Sequence, residues 1–107
     1  MTTPFIGTAF ELAGLVEYQA DAVVSKTILD KKIGTLTLFA FDAGQGLSEH
    51  TAPFDAVVQV IAGTSAITID GVVHQVQAGE MIIMPANVPH SLRAEVPFKM
   101  LLIMVRA

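Results

Sequence analysis

Residues 79–94 read GEMIIMPANVPHSLRA, and the order of turns and apolar runs in this stretch decides the fold. Ala78-Gly79-Glu80 reads as a turn. Met81-Ile82-Ile83-Met84 is a short apolar run closed by Pro85, which cannot donate to a central ladder. Pro85 and Pro89 make the connection between them rigid. Asn87 sits in that connection, and asparagine is the residue other than glycine most at ease with positive φ. His90 to Arg93 then resumes as a strand. The stretch thus predicts strand, fixed corner, strand, with a histidine at the exit from the corner.

The same rhythm extends in both directions. Upstream, Val72 to Val76 and Ser65 to Ile69 alternate around Asp70-Gly71, the dipeptide best suited to a two-residue hairpin turn. Val57 to Ile61 is a short buried strand, and Gly63-Thr64 turns the chain. Ile33 to Phe41 and Val23 to Leu29 alternate with many β-branched residues, joined by a polar turn at Asp30-Lys31-Lys32. Gly34 marks a bulge or a close backbone approach. Phe41 to Gly46 is a glycine loop, and His50 follows in a turn-like stretch. Downstream, Phe98 to Val105 supplies the last strand. Residues 1–22 follow neither period and read as an extended or one-turn helical arm. About eight short strands at hairpin spacing, with no long helix, predict an all-β sandwich or barrel.

The composition narrows the function. With 107 residues, one domain spanning 1–107 is expected. Hydrophobic residues make up 52% and mean hydropathy is +0.60, which fits a packed barrel that hides a face in a homodimer. The longest apolar run, Met100 to Val105, is far short of the roughly 20 residues of a spanning helix, so no membrane partner is expected. Net charge is −4, and the six lysines and arginines are scattered. Nucleic-acid binding needs clustered positive charge, so that partner is not expected either. There is no cysteine, which excludes disulfides and thiolate chemistry. No secretory signal is visible, and the cytoplasm is the default location.

Two stretches resemble the cupins, small β-barrels of the jelly-roll type. Their first motif is Gly, five residues, His-x-His, three or four residues, Glu, six residues, Gly. Their second is Gly, five residues, Pro-x-Gly, two residues, His, three residues, Asn. Gly79, Pro85 and His90 match the second motif; Asn87 and Ala94 replace its other glycine and its asparagine. Gly44, His50 and Gly63 match the first; Ala52 stands at the second histidine and Ala56 at the glutamate. The resemblance covers residues 44–94, the motif-bearing core.

The resemblance implies a single-domain jelly-roll barrel, pairing of subunits, and one divalent transition metal (Zn, Ni, Mn or Fe) per subunit inside the barrel. Carried over residue by residue, only His50 and His90 remain as metal ligands. Two histidines fall short of the three protein ligands usual at catalytic zinc. Asp55 is the candidate third ligand, one residue from the glutamate position, if a bulge near Pro53 restores its face. Glu49 should point away and Gln59 has the wrong parity.

Four readings follow. The leading one is a small-molecule pocket, apolar with two imidazoles, formed by His50, Ala52, Ala56, Val58 and His90, with a degenerate, metal-free site. The alternative is a metal-dependent enzyme of the dioxygenase, isomerase or decarboxylase type using His50, His90 and a third ligand outside the motif. Histidine acid–base catalysis oriented by Asp55 is the third. The fourth is that both histidines are structural. His74 matches no motif position and reads as a partly exposed strand residue. Met81, Met84, Met100 and Met104 read as core filling rather than as a soft-metal site. Phe54 is placed at the presumed barrel mouth, and Tyr18 lies in the arm.

Overall fold

The computed structural model describes residues 5–106. Nine strands follow in order: β1 Val23–Lys31, β2 Gly34–Phe41, β3 Gly46–His50, β4 Asp55–Ala62, β5 Thr64–Ile69, β6 Val72–Gln77, β7 Met81–Met84, β8 His90–Arg93 and β9 Phe98–Val105. They form two antiparallel sheets, ordered β1-β2-β9-β4-β7 and β3-β8-β5-β6. Only β1–β2 and β5–β6 are hairpins within a sheet. Every other connection carries the chain from one sheet to the other, which wraps the sheets into a jelly-roll barrel. No helix among the described residues is long and apolar enough to cross a membrane.

Local chemistry sets the turns. Asp70 and Gly71 adopt φ of 49° and 79° between the paired Ile69 and Val72, which gives the two-residue hairpin its twist. The β1–β2 turn falls one residue later than the charges predict. Lys31 pairs with Gly34, so the turn is Lys32-Ile33, and Ile33 is left 74% exposed. Gly34 is the close approach its position predicts: a Cβ there would run into the Met104 carbonyl oxygen.

Strand β3 is the element the sequence does not announce. In Gly46–His50 only Leu47 is apolar, so no alternation is visible. Pairing with β8 makes it a strand. There are therefore nine strands rather than about eight, and His50 ends a strand rather than lying in a turn.

Alternation sorts the five-stranded sheet into two faces. In β4, Ala56, Val58 and Val60 are buried toward the other sheet. They join Phe41, Ile67, Phe98 and Met100 in the barrel core, where Phe41 and Phe98 stack with ring centroids 4.5 Å apart. The opposite face carries Leu38, Ala40 and Leu101. The arm covers these: Val16 is 3% exposed, and Leu12 and Leu15 pack beside it around a short 3-10 turn, Ala13–Leu15. Lys99 Nζ fastens the arm, donating to the Ala13 carbonyl at 2.7 Å and lying 5.1 Å from the Tyr18 ring centroid. Burial raises the Tyr18 phenol above its usual value. The arm thus closes an apolar face that the sheet leaves open.

Candidate functional site

The two motif histidines meet. His50 ends β3 and His90 begins β8, and they are direct partners across that pair. Leu47 pairs with Leu92 three residues before His50, while only two residues separate Leu92 from His90. One extra residue is therefore bulged out of β3 at Ser48-Glu49. In a regular strand, residues three apart face opposite ways. The bulge cancels this, and Leu47 and His50 line the same cavity.

The corner after β7 places His90. Asn87 takes φ of 64°. Its amide donates to the Ala52 carbonyl at 2.7 Å, and the Ala86 amide donates to Asp55 Oδ1 at 2.8 Å. Asp70 N–H donates to the Pro89 carbonyl at 2.9 Å. The corner is thus tied both to the β3–β4 connection and to the β5–β6 turn.

The hydrogens of the two rings can be counted. His50 Nδ1 lies 2.7 Å from the Ser48 carbonyl oxygen, and His90 Nδ1 lies 3.1 Å from that of Val88. A carbonyl oxygen only accepts, so each Nδ1 carries the hydrogen and donates. The two Nε2 atoms face each other at 3.1 Å. That contact needs a third hydrogen, and two neutral imidazoles carry only two. With both rings neutral, the pair is one hydrogen, or one cation, short. His90 is 4% exposed while His50 is exposed, so the pair spans from interior to mouth.

The cavity beside the pair has a volume of about 50 Å³. Of the residues expected there, His50, Ala52, Ala56 and His90 line it. Val58 does not: it faces the same way as Ala56 but sits one step deeper, fully buried in the core. Asp55 does not complete a ligand set with the histidines either. Its carboxylate is engaged at the Ala86 amide, and no three His, Cys, Asp or Glu residues gather among the described residues. A divalent ion bound through the family's four ligands does not fit a donor set reduced to two neutral imidazoles, with alanines at 52 and 56.

The sequence reading missed part of the wall. Leu47, Leu92 and Leu102 line the cavity, and so do Met84, Met100 and Met104, three of the chain's five methionines. The signal was available in β9, where residues 100, 102 and 104 share one face by parity. Away from the cavity, His74 is exposed on β6 and Phe54 is half-buried after Pro53.

Residues 37–105 match the model of the Cupin domain family, and the chain belongs to that family. A Cupin 2 conserved barrel domain protein from Leptotrichia buccalis is 43% identical over 90% of this chain, with a TM-score of 0.88; the chain spans 47% of that protein. A conserved protein of unknown function from Streptococcus pyogenes is 35% identical, with a TM-score of 0.89 over 94% of this chain and 89% of its own. A point mutant of salicylate 1,2-dioxygenase from Pseudoaminobacter salicylatoxidans shares the fold at 22% identity, with a TM-score of 0.73 over 80% of this chain and 27% of its own. No protein of curated function matches the chain.

Proposed function

We propose that this chain is a binding cupin whose cavity receives the head group of a small organic molecule against His50 and His90. The supporting observation is the hydrogen count: three contacts and two ring hydrogens around Nε2 atoms 3.1 Å apart. A ligand that brings an O–H, such as an alcohol, a phenol or a carboxylic acid in its protonated form, supplies the missing hydrogen and shares it in a three-centre bond between the two Nε2 acceptors. The walls are otherwise apolar, the usual character of a small-molecule site.

Size limits the ligand. A cavity of about 50 Å³ is roughly a third of the ~150 Å³ that holds benzene in an engineered protein cavity. Only a head group enters, and the rest of the molecule extends past the exposed His50. The chain acts as a homodimer in this reading, with its remaining exposed apolar surface shared between copies.

A thermal-stability screen of small alcohols, phenols and carboxylic acids tests the proposal. Stabilisation should grow with the ratio of ligand concentration to Kd, persist in the presence of a chelator, and vanish in His50→Ala and in His90→Ala. A shift abolished by chelator would instead favour the metal-dependent alternative. No shift with any of the three classes would overturn the binding reading.

A further inference from the structure

We infer that the same cavity is also a site for a soft monovalent d10 cation of the copper(I) class, held by the Nε2 atoms of His50 and His90 together with methionine thioether sulfur. The inference rests on the reading that ligands enter this cavity against the Nε2 pair, and it adds a second kind of occupant.

The geometry of the nitrogens comes first. Each Nδ1–H is occupied by a backbone carbonyl, so each Nε2 presents its lone pair to the other at 3.1 Å. A cation about 2.0–2.1 Å from both, the usual imidazole distance for a d10 ion, would subtend an angle near 100° between them. Both rings are already fixed in the tautomer that ligation requires, as metal-bound histidines normally are.

Charge comes second. Both nitrogens are neutral donors, the other lining residues are alanine, leucine and methionine, and no carboxylate lines the cavity. The cost of taking an ion out of water rises with the square of its charge. In an apolar cavity, an unpaired double charge is therefore penalised about four times as heavily as a single one. The cavity offers a dication nothing to offset that cost.

Donor softness comes third, and it follows from the strand register. Ala56, at the position where the first motif has its glutamate, is paired directly with Met84 on β7 and directly with Met104 on β9. Direct cross-strand partners hold their Cβ atoms about 4.5–5.5 Å apart, and methionine has three rotatable bonds beyond its backbone. Met84 and Met104, on either side of Ala56, both line the cavity, and Met100 lines it too. Thioether sulfur selects copper(I) over the divalent ions that suit carboxylates. Soft donors thus stand beside the position where the motif has a hard one.

The test is anaerobic titration of the full chain with copper(I) in competition with a chromogenic copper(I) chelator, repeated with excess zinc(II). The expected result is one copper(I) per chain, not displaced by zinc. Affinity should fall by more than the roughly 10–100-fold typical of losing an outer-shell partner of a metal ligand in the Met84→Leu, Met104→Leu double variant, because the sulfurs are themselves ligands. Copper-edge X-ray absorption on the unsubstituted protein should show both nitrogen and sulfur neighbours, and this readout does not depend on the variant folding. Ready displacement by zinc, or an absorption spectrum with no sulfur, would overturn the inference and return the methionines to core filling. The stability screen separates this failure from that of the binding reading. If O–H ligands still stabilise wild type and the double variant alike, only the copper inference falls. If neither ligands nor ions bind, both fall.

Discussion

Asp55 shows what one residue does when its partner is remote in sequence. Its carboxylate accepts from the Ala86 amide, 31 positions away, and so holds the corner from which His90 emerges. Asp55→Ala should cost about 1–2 kcal/mol, the scale of a lost hydrogen bond to a charged group at an exposed site, and should weaken ligand binding through the loosened corner. Asp55→Asn keeps an acceptor and should recover most of both, as chemical denaturation and the ligand screen would reveal. Ser65 makes the opposite case. It is fully buried and its Oγ has no hydrogen-bond partner among the described residues. Removing an unsatisfied hydroxyl relieves its desolvation penalty, so Ser65→Ala should raise stability by about 1 kcal/mol in the same experiment; a loss would mean that the hydroxyl has a partner in solution. Residues whose conformation is local were legible in the sequence: Asn87 and Asp70-Gly71 all take the positive φ expected of them. The role of Asp55 was not, because no local pattern marks a contact with a distant amide.

At the scale of elements, legibility followed the strength of alternation. β4 buries a clean inner row, while β2 and β9 divide their buried residues between the barrel core and the arm-covered face, and all three were evident. β3 has one apolar residue, and its bulge inverts the face that parity would assign to His50. Half of the site was therefore visible as motif spacing, while the strand that aims it was not. The methionine wall was seen as residues and missed as a wall, since membership depends on register across β4, β7 and β9. The arm gave no periodic signal because it packs as an irregular segment onto a sheet face. Val16→Ala removes two methyl groups from a buried position and should cost about 1.5 kcal/mol or more. The arm should also respond to alkali. Burial raises the Tyr18 phenol in the folded chain, whereas in the unfolded chain it ionises near about 10. The contribution of the neutral phenol is complete below that pH and is lost as pH rises through the folded value. Limited proteolysis should therefore find the arm more accessible above about pH 10, and Tyr18→Phe should abolish that part of the change.

Across the whole molecule, the barrel contacts water with more apolar surface than its core requires. Met81 and Ile83 are 58% and 57% exposed on β7, an edge strand, and Val72 and Val73 are 58% and 59% exposed on β6, the edge of the other sheet. An exposed apolar edge is a template for association, and this surface is the one on which the proposed homodimer would form. Sedimentation at micromolar protein should give twice the chain mass, with Ile83→Lys shifting it toward monomer; a monomer mass for the unsubstituted chain would remove the dimer from the account. The fold as a whole was the most legible level, since turns, strand spacing and composition all pointed to one closed β architecture. The chemistry was less legible because two alanines stand where the family pattern has ligands, and the side chains that surround those alanines gather only in three dimensions.

In the proposed binding site, His50 and His90 as neutral rings present two Nε2 acceptors that lack one hydrogen between them. Long-range proton–nitrogen NMR of protein labelled at histidine nitrogen reads this directly. The expected spectrum has protonated Nδ1 in both rings and Nε2 resonances that move together when a small phenol or carboxylic acid is added, with Nδ1 unmoved. Unprotonated Nδ1 in either ring, or Nε2 signals indifferent to every such ligand, would contradict it.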